Sequence, residues 1–254
     1  MKKKIHILVV NDDGVNAPGI QILARHLQRI ARVTIMAPDR NRSASSQSLT
    51  ISAPLNVNTL GKNIYSVEGT PADCVHLATT GFFNAVPDMV VSGINRGVNI
   101  GDDVLYSGTV AAAIEGQHCQ FPPIAISQEN NQNEEPCYET AAKAATILVE
   151  NLIKNPMLEP SVLNVNVPNL PWEKIKGFQV TRLCKRAQSP GVREQINPRG
   201  HKCYWIGLPG KPLDVEPGVD RYSLDQNMIS VTPLHMDLTD YRSQGQLTQW
   251  LSSV

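Results

Sequence analysis

The sequence predicts an α/β protein: a Rossmann-like, mostly parallel sheet flanked by helices, followed by a β-hairpin-rich C-terminal appendage. Three observations carry this. Through residue 167, short Val/Ile-rich runs alternate with longer segments of helical periodicity, the pattern of strands joined by crossover helices. Of the 254 residues 41% are apolar but only 5% aromatic, so burial must rest on Val, Ile, Leu and Ala. Beyond Pro168, proline and glycine recur and the ordered pieces read as isolated strands.

The elements follow in order. Ile5 to Val10 is an apolar run that reads as a strand. Ala17-Pro18-Gly19 leads into Ile20, Leu23, Ala24 and Leu27, spaced three and four apart, with proline in a helix's first turn. Val33 to Ala37 is the next strand, closed by Pro38. Thr70 caps a helix whose first residue is Pro71. Met89 to Val91 is a strand running into Ser92-Gly93-Ile94-Asn95, and Ser107-Gly108-Thr109 starts a helix through Val110 to Glu115. Ile124 to Ile126 reads as a strand, Tyr138 to Ile153 as a long amphipathic helix, and Val162 to Val167 as a strand with Asn164 and Asn166 interleaved. Strands are expected at Phe178 to Leu183, Tyr204 to Ile206 and Met228 to Val231. This divides the chain into an α/β core, 1–167, and a β-rich extension, 168–254, whose hairpins must pack on the core or on another subunit.

Composition excludes several classes. The 23 Lys+Arg balance 23 Asp+Glu, which gives no electrostatic reason to expect long nucleic acid or an anionic membrane as partner. Met1-Lys2-Lys3-Lys4 and Ile5 to Val10 imitate a signal peptide, but the apolar run is short and ends in Asn11-Asp12-Asp13. No window is apolar enough for a membrane span. Five cysteines without a CxxC pair read as reduced thiols of a cytoplasmic protein.

Chemistry gathers at strand ends, which converge on one rim of a parallel sheet. The first strand runs into Asn11-Asp12-Asp13-Gly14. Two adjacent carboxylates repel and call for a counter-charge, unless one caps the next helix and the other is solvated. The second strand is followed by Asp39-Arg40-Asn41-Arg42-Ser43, and the third ends at Asn95. Two carboxylates, a hydroxyl and an amide carbonyl make an all-oxygen set suited to a hard cation, not to zinc. Ser107-Gly108-Thr109 reads as an anion seat at a helix start or as a plain cap. Arg40, Arg42 and Arg96 either orient an acidic substrate or sit in surface salt bridges. His235 is a proton donor to a leaving group only if the chain brings it to that rim.

Asn11-Asp12-Asp13-Gly14 with Ala17-Pro18-Gly19, Ala37-Pro38-Asp39-Arg40-Asn41-Arg42-Ser43, Gly69-Thr70-Pro71-Ala72-Asp73-Cys74, Ser92-Gly93-Ile94-Asn95, Gly97, Asn99, Gly101-Asp102 and Tyr106-Ser107-Gly108-Thr109-Val110-Ala111-Ala112 together closely resemble the SurE survival-protein nucleotidases. A weaker echo lies in Ser230-Val231-Thr232-Pro233-Leu234-His235 with Asp237 and Thr239, while 130–135 and most of 168–225 match nothing in the pattern. The resemblance implies a metal-dependent phosphatase acting on nucleoside 5′-monophosphates, with 3′-monophosphates and short polyphosphate as further candidate substrates. It implies one Mg²⁺ or Mn²⁺ per subunit on Asp12, Asp13, Ser43 and Asn95, with Asp12 and Asp13 the catalytic pair. It places Asn99, Ser107, Gly108 and Thr109 around the phosphate. It also implies homodimers or homotetramers built partly by exchanged C-terminal segments. Direct attack by an activated water is expected, because an aspartyl-phosphate enzyme would carry DxD where this chain has Asn-Asp-Asp.

Two other classes fit less of the pattern. A receiver-like signalling domain would need a phosphoacceptor aspartate after the third strand, where Asn95 stands, and a lysine where Ser127 follows Ile126. A non-catalytic nucleotide-binding module could use the same seat without turnover.

Overall fold

The structure is a computed structural model describing residues 4–131, 134–157, 161–207 and 209–253. Met1 to Lys3, the basic start of the signal-like segment, lie outside the described residues, as do Gln132 and Asn133 of the unmatched 130–135 stretch.

The first strand, β1 (His6–Val10), is buried throughout. Its side chains alternate between two cores. Ile7 and Val9 face α1 (Pro18–Leu27), whereas Leu8 and Val10 face the opposite layer. Next come β2 (Arg32–Pro38) and a hairpin of β3 (Val57–Gly61) and β4 (Ile64–Val67). Thr70 caps α2 (Pro71–Thr79) through a reciprocal box with Asp73, as the Thr-Pro entrance predicts. The chain continues through β5 (Met89–Arg96), a 3₁₀ turn over Gly101–Leu105, α3 (Gly108–Glu115) capped by Ser107, β6 (Ile124–Gln128), α4 (Tyr138–Lys154) and β7 (Val162–Val167). The remainder holds β8 (Phe178–Val180), β9 (Arg193–Ile196), β10 (Lys202–Trp205), α5 (Asp220–Asp225), β11 (Ile229–Leu234) and α6 (Gln244–Leu251). Among the described residues no helix is long and apolar enough to cross a membrane.

Among the described residues nine strands form one sheet in the order β3-β4-β2-β1-β5-β6-β7-β11-β8. From β4 to β7 every neighbouring pair is parallel, while β3 runs against β4 and β11 against β7, and β8 is parallel to β11. Helices α1 and α4 pack together on one face, and α2 and α3 on the other. The chain moves outward from β1 to β2 and β4, then returns across β1 to β5. The order reverses there, so a crevice opens past the carboxyl ends of β1 and β5.

Two expectations shift. The third strand extends to Arg96, so Ser92 to Asn95 lie within β5, with an irregular register between Gly93 and Asn95 against β6. The line drawn at residue 167 does not interrupt the sheet, because β11 and β8 from the extension are its outer strands. Among the described residues, β9 and β10 form a separate antiparallel pair.

Candidate active site

The acidic turn after β1 is built by Asn11. Its amide donates to the Gly14 carbonyl at 3.0 Å and its oxygen accepts the Gly14 N–H at 3.2 Å, which folds Asp12 and Asp13 back over the strand end. Asp12 is 4% exposed. Its Oδ1 accepts the Thr109 hydroxyl at 2.5 Å, and its carbonyl accepts the Arg42 N–H at 2.7 Å. Asp13 is the node where three segments meet. Its Oδ2 accepts the Arg96 N–H at 3.3 Å beside Asn95, and its Oδ1 accepts from Asn41 at 3.5 Å. Asn41 in turn accepts the Ser43 N–H at 2.8 Å. Asn95 donates its amide to the Gly97 carbonyl at 2.8 Å, which leaves its oxygen end, the end a hard cation takes.

Burial and repulsion set the electrostatics. Burial pushes the Asp12 carboxyl above its ordinary range, opposed by bonds from the Thr109 side chain and from backbone. Burial raises Asp13 as well, the Asp12 charge adds to this, and the Arg96 N–H and charge oppose it. No Lys, Arg or His side chain among the described residues forms an ion pair with either: Arg40 and Arg42 stand 3.8 and 3.6 Å from Asp39 instead. Arg96 is exposed and donates to Asn130 at 3.3 Å. No group of three or more His, Cys, Asp or Glu side chains converges anywhere among the described residues, so a cation here must complete its shell with neutral oxygens.

The helix start divides its groups. The Ser107 hydroxyl accepts the Val110 N–H at 3.1 Å as an N-cap, and the Thr109 hydroxyl is engaged by Asp12. Gly108 lies flat against the acidic turn: a Cβ there would stand 2.8 Å from Asp12 Cβ and 2.9 Å from Ser45 Oγ. The amino end of α3 therefore meets Asp12 itself. Asn99 is anchored on the next strands: one side-chain N–H reaches Ser127 Oγ at 2.7 Å, and its backbone is clasped by Asn164 and Asn166.

His235 is not brought to this rim. It follows β11, which runs antiparallel to β7 and pairs Leu234 with Val162, at the opposite edge from Asp12. There its Nδ1 accepts the Asp237 N–H at 3.2 Å. Sequence reasoning passed over Asn11, Asn41 and Tyr138. The first two sit inside motifs already singled out. Tyr138, at the start of α4, has its phenol pushed up first by burial and then by the Asp13 charge, proximity that no local pattern reveals.

Fold and site together define a Rossmann-like α/β protein whose ligand crevice opens where its strand order reverses. The chain belongs to the SurE family: the family described as "Survival protein SurE" matches residues 7–190. It is 50% identical to a protein of Alkalilimnicola ehrlichii over 98% of this chain and 96% of that one. A protein of Legionella pneumophila strain Corby is also 50% identical, over 98% of both chains. Both relatives carry the name 5′-nucleotidase SurE. The crystal structure of the SurE protein from Aquifex aeolicus superimposes with a TM-score of 0.84 at 40% identity, covering 97% of this chain and 99% of that one.

Proposed function

We propose that this protein is a divalent-metal-dependent 5′-nucleotidase, a phosphoric monoester hydrolase acting on nucleoside 5′-monophosphates. The observation that carries the metal is the Asp12-Asp13 pair, Asp12 buried and Asp13 half-buried, with which no basic side chain among the described residues forms an ion pair although Arg40, Arg42 and Arg96 are near in sequence or space. The donor set fits a hard cation: two carboxylates, the Asn95 amide oxygen and the Ser43 hydroxyl, taken from three turns that Asp13 links. Mg²⁺ or Mn²⁺, one per subunit, is the ion this set suits. Bound there, it would supply Lewis-acid neutralisation of the phosphoryl charge.

The chain's own groups do the rest. Asn99 has a second side-chain N–H left for a phosphate oxygen, and the amino end of α3 at Ser107, Gly108 and Thr109 contributes a positive dipole to the developing charge. Thr109 holds Asp12 in one orientation. Asp13, whose oxygens have long contacts of 3.3 and 3.5 Å among the described residues, accepts the proton of the attacking water on a carboxylate oxygen. 3′-Monophosphates and short polyphosphates present the same terminal phosphoryl group and belong to the same reading.

Assembly into homodimers or homotetramers is supported by α6, which buries none of its residues yet displays Leu247, Trp250 and Leu251. A cytoplasmic setting is supported by an odd number of cysteines without a CxxC pair.

The test is phosphate release from a panel of nucleoside monophosphates and polyphosphate after chelation, with each divalent ion restored singly. Release from 5′-monophosphates only after an ion is restored is expected. Full activity in chelator, or none with any ion, overturns the reading.

A further inference from the structure

The segment carrying Asn99 is gripped from two sides. On one side is β7. Asn166 Oδ1 accepts the Asn99 N–H at 2.8 Å, and the Asn99 carbonyl accepts side-chain N–H groups of Asn164 at 2.8 Å and Asn166 at 3.0 Å. This explains why β7 buries two asparagines completely: they act as a backbone partner for an irregular loop.

On the other side is the extension. Ile100 packs into a small apolar cluster with Cys184, Val219 and Leu224. Gly101, at φ +52°, is pressed so close that a Cβ there would stand 2.5 Å from the Cys184 carbonyl oxygen. Beside this contact lies Asp220, fully buried. Its carboxylate accepts the N–H groups of Gly101 at 2.9 Å, Cys184 at 3.1 Å and Arg221 at 2.7 Å. Arg186 adds an ion pair to Asp103 within the same loop. An apolar side chain at 220 would fill the space but leave three N–H groups, two of them buried, without this acceptor, so the carboxylate is there to tie backbones together.

We propose that Asp220 is a positioning residue for the phosphate seat: from the extension, it fixes residues 98–101 so that Asn99 is held in place for substrate. The inference rests on the reading of Asn99 as a phosphate contact. It gives residues beyond 167 a share in substrate affinity without any of them touching substrate. Asp12, Asp13 and Ser43 lie on other segments and Asn95 sits in β5 ahead of residues 98–101, so the demand for ion should change little when this tie is cut.

The experiment compares Asp220→Asn, Asp220→Ala, Arg186→Met and Asn99→Ala with the wild-type full chain. It measures KM and kcat on a nucleoside 5′-monophosphate, the Mn²⁺ concentration for half activity, and hydrogen exchange of peptides covering residues 97–107. Asp220→Asn keeps the size but sets an NH₂ against a backbone N–H, and carries the test should the alanine variant fail to fold. Both Asp220 variants are expected to raise KM by about tenfold, the effect of one lost hydrogen bond, with kcat within about threefold. Exchange should quicken in 97–107 alone, and half activity should need the same Mn²⁺. A smaller rise in KM is expected for Arg186→Met. Unchanged KM in Asp220→Asn, or a fall in kcat at constant KM with faster exchange everywhere, overturns the proposal and leaves Asp220 a scaffold group. Asn99→Ala separates the two readings. Normal KM there removes the phosphate role of Asn99, whereas raised KM there with normal KM in Asp220→Asn removes only the tie.

Discussion

Thr109 donates its hydroxyl proton to Asp12 Oδ1 at 2.5 Å, with Thr109 fully buried and Asp12 nearly so. The bond joins the turn after β1 to the first turn of α3, and it opposes the rise that burial imposes on the Asp12 carboxyl. Thr109→Val keeps the shape and removes the donor, so the Asp12 pKa rises further. Only the ionised carboxylate holds a cation, and a higher pKa protonates it at a higher pH. The acid limb of kcat/KM should therefore move up by about one pH unit, given a charged hydrogen bond of roughly 1.5 kcal/mol and 1.36 kcal/mol per unit. A pH–rate profile checks this; an unmoved limb would show that another group sets it.

Removing either charge should abolish most turnover without unfolding the chain. Asp12→Asn and Asp13→Asn are each expected to lower kcat by at least about 100-fold under saturating Mg²⁺ or Mn²⁺, because the lost group holds the ion and does not fill the core. Phosphate release and circular dichroism measured side by side decide it. Near-normal turnover in both variants sinks the assignment.

The same charges should destabilise the ion-free protein. Both carboxyls are raised above their ordinary value on folding, so the native state binds more protons than the unfolded chain between that value and the raised one. Stability is then fullest at low pH and is lost as pH rises through the folded pKa values. At neutral pH in chelator, Asp13→Asn should raise Tm by a few degrees, as relief of about 1 kcal/mol would do. Saturating Mn²⁺ should reverse the ranking, since an ion at 100 times its Kd stabilises the wild type by about 2.7 kcal/mol. Thermal unfolding in both media reads out the sign.

A buried carboxylate also ties down the loop bearing Ser43. Asp73, 2% exposed, accepts the Thr50 N–H and hydroxyl at 2.7 Å each and the Thr70 N–H at 2.8 Å. Asp73→Ala leaves those donors unpaired, and the expected loss is about 3 kcal/mol in urea unfolding. A loss below about 1 kcal/mol would mean that the loop finds other partners.

The alternating core was legible because buried parallel strands and crossover helices differ sharply in hydrophobic period, and Thr70-Pro71 and Ser107-Gly108 mark helix starts through local capping chemistry. Those signals are local. The hairpin of β3 and β4 was not read, since Val57 to Gly61 is mostly exposed and carries Asn58 and Thr59. α5 and α6 were missed too: one is a single short element and the other buries nothing. The acidic pair and Asn95 were visible as strand-end oxygens. The partners that fix the neighbouring phosphate seat lie 65 to 119 residues away, Asn164 for Asn99 and Asp220 for Gly101, which no periodicity encodes.

Gly108→Ala tests whether the packing of α3 on the acidic turn matters for chemistry. Alanine is the better helix former, so propensity alone would favour the variant. Its Cβ, however, would lie 2.8 Å from Asp12 Cβ, closer than real Cβ contacts allow, and a tight 3.1 Å from Asp12 Oδ2. Either Asp12 moves off Thr109 or the helix start backs away, and both displace groups assigned to ion and phosphate. A shift near 1 Å at such a site costs about 100-fold in rate. The expected outcome is a fall of that order in kcat/KM with the fold retained, measured by steady-state kinetics and circular dichroism. Unchanged kinetics would mean that the turn and the helix can separate without consequence, and the tight Gly108–Asp12 contact would then be packing alone.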